Sequence, residues 1–243
     1  MIETAARQLA QLCQDLHQRG WVANHDGNVS VRLPEGGALA SPTAVSKRDV
    51  RPEMLVTVDN EGKVVAGTRR VFSEISLHRA AWRARPEVRW VVHAHPPYAT
   101  AWACCGEEFW ASPFLAEAVV SLGDRIPLVP TAAPGAGTGA LESALGFADA
   151  VLLGNHGVLT VGPDAETALL RMELVEHLAR IAAIARPLGG PMPLPAEMVT
   201  TLLEARKKAG LGPGAAAPPG AAGPAPASTD VAAVVQEALR RLG

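Results

Sequence analysis

The sequence predicts an α/β protein in which helices alternate with strands along the chain. At residues 3–19, apolar side chains recur every three or four positions, as in an amphipathic helix, and Gly20 follows. Short apolar runs bounded by turn residues indicate buried strands, as in "VRWVVHAH" at 88–95 and "DAVLLGNHG" at 149–157. A long helical pattern follows Asp164. These observations exclude an all-helical chain and an all-strand chain.

The N-terminal half is predicted to form one helix and a set of antiparallel strands. After the helix, "VSVRL" at 29–33 alternates apolar and polar residues, as a half-buried strand does. The turn "EGG" at 35–37 leads back into "ALAS" at 38–41. The turn "NEG" at 60–62 joins "MLVTVD" to "KVVAG", which predicts a hairpin.

The second half is predicted to alternate helices with buried strands. Residues 74–85 have a helical pattern that Pro86 stops, and residues 97–105 form a short helix after the next strand. Asp164 is placed to cap a helix that runs to about residue 184. Residues 196–212 are predicted to form a further helix.

The composition changes abruptly at Gly212, which predicts three segments. Residues 1–212 have the mixture of apolar and polar side chains that is typical of a folded domain. The Pro/Ala/Gly-rich stretch 213–229 has almost no side chain that anchors a core, which is typical of a flexible linker. Residues 230–243 have the pattern of a short amphipathic helix. Such a helix is marginal in water unless it docks on another surface.

The composition gives no indication of nucleic acid or a membrane as partner. Twenty-two basic residues nearly balance 24 acidic ones, and no apolar run approaches the ~18 residues of a membrane span. The cysteines, Cys13, Cys104 and Cys105, are odd in number and include an adjacent pair, so no disulfide framework is expected. No leader pattern begins the sequence, and we expect a cytoplasmic protein.

Three histidines at the ends of apolar runs are candidate metal ligands. His93 and His95 occupy alternate strand positions, so their side chains are expected on one face. His156 lies in the turn Asn155-His156-Gly157 after another apolar run. Three neutral imidazoles can hold a zinc-like ion and leave one position open for substrate. By pattern alone, histidines satisfied by hydrogen bonds at a sheet edge remain an equal alternative.

Glu74 is a candidate general acid/base because a carboxylate beside a metal can transfer protons to and from substrate. It follows Ser73 at the start of a predicted helix. The alternative is structural, since acidic residues are favoured at helix N-termini and Ser73 is a good capping residue. His78, one turn later, is predicted to pack or to form hydrogen bonds.

Five segments in order resemble the class II aldolase/adducin family over residues 3–210. They are "GNVSVR" (27–32), "SPTAVS" (41–46), "SEISLHRA" (73–80), "VVHAHPPYATA" (91–101) and "GNHGVL" (154–159). The resemblance implies a three-layer α/β/α fold with a central, largely antiparallel sheet. It also implies a ring-shaped homotetramer with active sites between subunits and a small-molecule substrate.

The resemblance assigns roles to the histidines and to Glu74. It implies one divalent metal ion per subunit, bound by His93, His95 and His156, and it gives Glu74 the acid/base role. We expect zinc, with manganese, iron, cobalt or magnesium as alternatives. The expected reaction is retro-aldol cleavage of a small hydroxy-ketone or sugar-derived substrate, because a Lewis acid stabilises an enediolate. The alternatives are decarboxylation, epimerisation or dehydration through the same anion, and a non-catalytic scaffold like adducin.

The substrate end of the site departs from the family pattern. Family residues that hold the substrate phosphate match Asn28, Thr43, Ala44 and Ser73. However, Phe72 replaces a serine, Ala44 replaces a glycine, and His25 stands where a hydroxyl is found in fuculose-phosphate aldolase. We therefore include Phe72 and His25 in the substrate-binding set and predict a substrate end without phosphate. Tyr98, the one tyrosine, is predicted to be a helix-packing residue.

Overall fold

The sheet that carries the histidines is open and mostly antiparallel. The computed structural model describes residues 2–131, 137–214 and 229–241, and the predicted linker lies, apart from its ends, outside these ranges. Within them, eight strands form one sheet of order β4-β3-β2-β1-β5-β8-β7-β6. The strands are β1 Asn28–Arg32, β2 Ala38–Ala40, β3 Val56–Val58, β4 Val64–Ala66, β5 Trp90–Ala94, β6 Leu128–Val129, β7 Ala150–Leu153 and β8 Gly157–Gly162. Every neighbouring pair is antiparallel except β6 and β7, which are parallel.

The helices agree closely with the helical patterns of the sequence, with two additions. They are α1 Ile2–Gln18, α2 Ile75–Ala84, α3 Pro97–Cys105, α4 Ala116–Leu122, α5 Gly139–Leu145, α6 Ala165–Ala185, α7 Ala196–Lys208 and α8 Val231–Arg240. Asp164 caps α6 as predicted, because its carboxylate accepts a hydrogen bond from the Thr167 amide at 2.7 Å. In the described ranges, no helix combines the length and apolar character that crossing a bilayer requires.

Side chains of the strands alternate between two apolar cores, one on each face of the sheet. On one face, Val92 and Leu152 pack with residues of α1, α3 and α6. On the other face, Val91 and Val151 pack with residues of α2 and α5. The two cores make three layers, α/β/α, as the family resemblance implies.

The C-terminal helix packs on the rest of the protein. Helix α8 contacts α4 and α7, and its Val235 and Ala238 are buried in the core cluster that also contains α1 and α6 residues. Asp230 caps it by accepting a hydrogen bond from the Ala233 amide at 3.0 Å. Docking therefore supplies the stabilisation that so short a helix lacks by itself.

A buried carboxylate joins four parts of the fold at the start of β7. Asp149 is fully buried, and Arg85 approaches one of its oxygens at 3.1 Å. Arg171 approaches the other oxygen at 2.9 Å, and Arg206 also binds that oxygen. The three arginines come from the end of α2, from α6 and from α7. They fasten these helices to the strand that leads into the turn carrying His156.

Candidate active site

The three predicted metal ligands meet at one edge of the sheet. Strand β5 pairs with β8, and β8 pairs with β7, so the β7–β8 turn lies beside the end of β5. This order brings His156 next to His93 and His95. Each residue offers one ring nitrogen, and the three nitrogens lie within 4.8 Å of one another. The Nε2 atoms of His93 and His95 are 3.1 Å apart. The cluster has the size and donor type that a single divalent ion requires.

Backbone contacts orient His93, which lies on β5, and His95, which follows the end of that strand. The His93 Nδ1 atom lies 2.9 Å from the Val158 carbonyl oxygen, so Nδ1 carries the proton and Nε2 is free to bind an ion. The His95 amide donates to the Trp21 carbonyl at 2.8 Å. Gly157 leaves room for both rings, because a Cβ atom there would lie 2.5 Å from the Ala94 oxygen and from the His95 ring.

The charge state of the imidazoles also fits a metal site. Burial lowers the pKa of His93 to about 4, and burial likewise lowers the pKa of His95. Both rings are therefore neutral near pH 7, as metal binding requires. A hydrogen bond to Glu74 raises the pKa of His156. All three residues fit a divalent metal ion by donor type and spacing, and His93 and His95 also fit it by protonation.

The carboxylate of Glu74 faces the histidines and does not cap its own helix. Glu74 itself occupies the N-cap position of α2, and its side chain makes no capping bond. Its Oε1 atom is 2.8 Å from His156 Nε2, and its Oε2 atom is 3.6 Å from His93 Nε2. Burial raises the pKa of Glu74, but the His156 hydrogen bond and the charge of His93 outweigh it, and the pKa falls to about 2. The capping alternative therefore does not describe this side chain.

A buried chain of hydrogen bonds holds Glu74 in place. Asn28 donates to Glu74 Oε2 at 2.6 Å, and the Asn28 oxygen accepts from His78 Nε2 at 2.6 Å. His78 Nδ1 then accepts from the Ser30 hydroxyl at 2.6 Å. Burial lowers the pKa of His78 to about 3, so the ring stays neutral and has one donor and one acceptor. Sequence reasoning missed Ser30, although its alternate position after Asn28 on β1 was a usable signal.

The Phe72 ring lies in the core beneath the site. Phe72 is 6% exposed and packs with Ala40 and Val56. Its ring centroid is 4.9 Å from that of His78. Phe72 was included in the predicted substrate-binding set, whereas its side chain packs in this apolar cluster. Its ring contacts His78, which belongs to the hydrogen-bonded chain that leads through Asn28 to Glu74.

Apart from Asn28, which is buried, the other predicted substrate-binding residues are exposed or half-buried. Ser73 and His25 are exposed. Thr43 is half-buried, and its amide donates to the Arg70 carbonyl at 3.0 Å. Ala44 is exposed and has a φ of +56°. Glycine adopts this left-handed conformation most easily, which explains why the family pattern has a glycine at this position. A bridge between Pro42 and Val71 holds this segment beside the one leading to Glu74.

The fold and the site define a class of protein. An open α/β/α sheet carries three converging imidazoles at a strand end, and a fixed carboxylate lies against them. The family model described as Class II Aldolase and Adducin N-terminal domain matches residues 7–183. The chain belongs to this family of enzymes.

Particular relatives include both decarboxylases and aldolases. The chain is 30% identical to 3-oxo-tetronate 4-phosphate decarboxylase of Escherichia coli K12 over 187 residues, covering 75% of this chain and 87% of the relative. It is 31% identical to L-fuculose phosphate aldolase of Escherichia coli K12 over 209 residues, covering 85% and 95%. The crystal structure of YgbL from Escherichia coli superposes with a TM-score of 0.73 at 29% identity, covering 83% and 99%.

Proposed function

We propose that this protein is a divalent-metal-dependent carbon–carbon lyase of the retro-aldol type. Its substrate would be a small hydroxy-ketone or a sugar-derived compound. The observation that carries the proposal is the contact of Glu74 with His156 at 2.8 Å, beside the His93 and His95 imidazoles. An acid/base group and a set of metal ligands are thus placed around one point.

His93, His95 and His156 would hold one ion per subunit. When bound, the ion supplies Lewis acidity for the negative charge that develops on adjacent hydroxyl and carbonyl oxygens of the substrate. Zinc is the proposed metal because it accepts three imidazoles and keeps an open position. Manganese, iron, cobalt and magnesium are the alternatives for the same site.

Glu74 would move the proton that the reaction requires. Its carboxylate lies at the rim of the histidine cluster and is partly exposed, so a substrate carbon or hydroxyl can approach it. Asn28 donates to Glu74 Oε2 and keeps the carboxylate directed at the cluster. His78 and Ser30 hold Asn28 in the orientation that leaves its N–H group for Glu74.

Decarboxylation of a keto acid is the second candidate, and the position of Tyr98 favours it. Retro-aldol cleavage needs two proton transfers, one from the hydroxyl that becomes a carbonyl and one to the enediolate carbon. Decarboxylation needs only the second, because the carboxylate leaves as carbon dioxide. Tyr98 packs with Arg180, whose guanidinium carbon is 5.6 Å from the ring centroid, so this phenol is held by α6. Glu74, which lies against the histidine cluster, is therefore the proposed acid/base group, and it suits a reaction with a single proton transfer.

Product analysis separates the two reactions. The metal-loaded protein is incubated with a panel of small β-hydroxy ketones and matched β-keto acids, and the released aldehyde and carbon dioxide are measured. Aldehyde release supports the retro-aldol proposal. Carbon dioxide release without aldehyde replaces it by decarboxylation, and epimerised or dehydrated product replaces it by the other enolate reactions. No turnover of any panel member by metal-loaded protein favours the scaffold alternative.

The metal proposal gives a direct prediction. Protein purified without chelator should contain close to one divalent ion per chain by elemental analysis, and His93→Ala or His156→Ala should remove most of it. His177→Ala is the matched control, because His177 is exposed on α6 and outside the cluster. If both site variants keep full metal occupancy, the three-histidine assignment is wrong.

The prediction of a substrate end without phosphate also continues as a proposal. Two contacts support it, since the Thr43 amide already bonds to Arg70 and the Asn28 side chain already bonds to Glu74 and His78. The Thr43 amide and one of the two Asn28 side-chain N–H groups are therefore already used, whereas a phosphate dianion needs several free donors. The two relatives described above are named for phosphorylated substrates, so the proposal needs a direct test. We expect kcat/KM to favour the unphosphorylated member of each matched pair. A preference above about tenfold for the phosphorylated member, ~1.4 kcal/mol, contradicts this.

The assembly and the segment division are proposals of the same kind. We propose a ring-shaped homotetramer with active sites between subunits, in the cytoplasm, on the strength of the family resemblance. We also propose residues 1–212 as the catalytic domain, 213–229 as a flexible linker and 230–243 as the terminal helix. Light scattering of the purified protein, which measures its mass in solution, tests the tetramer.

A further inference from the structure

His95 has its two ring nitrogens in different surroundings. Its Nε2 atom points into the histidine cluster, 3.1 Å from His93 Nε2. Its Nδ1 atom points the other way and lies 3.8 Å from the Asp26 carboxylate. A carboxylate on the far side of a metal-binding imidazole is a common means of fixing the ring and its tautomer.

His93 shows what such a partner does in this site. Its Nδ1 proton is held by the Val158 carbonyl at 2.9 Å, which leaves Nε2 for the metal. Within the described ranges, the one carboxylate at ion-pair distance from His95 is that of Asp26. Its carboxylate approaches Nδ1 of His95, whereas Nε2 faces the histidine cluster, so Asp26 suits the role of an outer partner better than that of a ligand.

The segment that carries Asp26 is held firmly against the site. The Asp26 amide donates to the Ala23 carbonyl at 2.9 Å and closes a turn. Gly27, with a φ of +70°, lies so close to β5 that a Cβ atom would be 3.0 Å from the His93 oxygen. A side chain at this position would push the turn away from the histidines.

Lys47 fastens the same segment from inside the protein. Its side chain is 1% exposed, and its ammonium group donates to the His25 carbonyl at 3.1 Å and to the Val45 carbonyl at 3.4 Å. Burying an ammonium group is unfavourable unless its donors are used, so these bonds fix the backbone next to Asp26. With the backbone fixed, a small rotation of the exposed Asp26 side chain brings its carboxylate into contact with His95.

We propose that Asp26 is a positioning residue for metal binding. Its carboxylate accepts the His95 Nδ1 proton, directly or through one water molecule, and keeps Nε2 unprotonated and directed at the ion. The inference rests on the proposed metal site, because it concerns one of the ligands of that site. Loss of such an outer partner typically weakens metal binding about 10–100-fold.

The test measures metal affinity and does not depend on a substrate. Apo-protein is titrated with Zn²⁺ in competition with a chelator and with Co²⁺ by its absorption spectrum, for the wild type, Asp26→Asn and Asp26→Ala. We expect Asp26→Ala to weaken binding by about 10–100-fold. Asp26→Asn should fall between it and the wild type, because its amide oxygen accepts a hydrogen bond without charge. Asp49→Asn is the control, since Asp49 is exposed and, within the described residues, its carboxylate pairs with the neighbouring Arg48.

The outcomes separate this inference from the metal proposal. If the wild type binds neither ion, the metal site itself is refuted. If the wild type binds and both Asp26 variants bind within about threefold of it, Asp26 has no positioning role. A loss of affinity that occurs only with a lower melting temperature of the apo-protein also overturns the inference, because it then reflects a disrupted turn. Weaker binding with an unchanged apo melting temperature supports it.

Discussion

Glu74→Gln is expected to lower turnover by about 10²–10⁴-fold while the protein stays folded and keeps its metal, because general acid/base groups contribute about that much to rate. The substitution preserves the shape of the side chain and removes the ionisable group. The amide oxygen can still accept from Asn28, which donates to the carboxylate at 2.6 Å. Fold and ligand set are therefore retained, and the measured change reports proton transfer.

The measurement is kcat on whichever panel substrate proves active, together with metal content and melting temperature. Glu61→Gln is the matched control, because Glu61 is an exposed carboxylate in the β3–β4 turn, away from the histidines. A Glu74→Gln variant with undiminished kcat would exclude the acid/base role. Loss of the metal from this variant would instead indicate that Glu74 helps to retain the ion.

Elements with a clear repeat or with local start and stop signals were predictable from the sequence, whereas β6, α4 and α5, which have neither, were missed. Helix α3 begins and ends at the predicted residues, since Pro97 and the Gly106 cap are local signals. Strand β6 has two residues and was missed, because its pairing with β7 is parallel and depends on distant residues. Helices α4 and α5, with seven residues each, are too short for a repeat to identify them.

Part of the candidate site was likewise predictable from neighbouring residues, and part depends on residues that are distant in the sequence. Alternation along β5 is a local signal, and it is sufficient to place His93 and His95 near one another. That His156 joins them follows from the strand order β5-β8-β7, which no local pattern contains. The direction in which the Phe72 ring points also depends on distant residues. A ring beside Ser73 can face either the cavity or the core, and only its neighbours Ala40 and Val56 determine which.

Asp149→Asn is expected to destabilise the protein by about 3–5 kcal/mol, the usual result of removing one partner from a buried ion pair. Asp149 is fully buried and meets Arg85, Arg171 and Arg206, so the substitution leaves three guanidinium groups without their shared carboxylate. Burial lowers the pKa of Arg171 to about 10, and the charge of Asp149 opposes this. Arg171 therefore remains charged near pH 7. Chemical denaturation, monitored by circular dichroism, measures the change.

Two further variants test whether the loss comes from unpaired buried charge. Glu173→Gln breaks the partly exposed pair with Arg19 and should cost at most about 1 kcal/mol, because solvent screens such pairs. Arg206→Met in the Asp149→Asn background should recover part of the loss, since it removes one uncompensated cation, so the two effects should not add. Strict additivity, or a loss below about 1 kcal/mol for Asp149→Asn, would show that the arginines are satisfied by the backbone carbonyls they also contact, such as that of Val161 at 2.6 Å from Arg171.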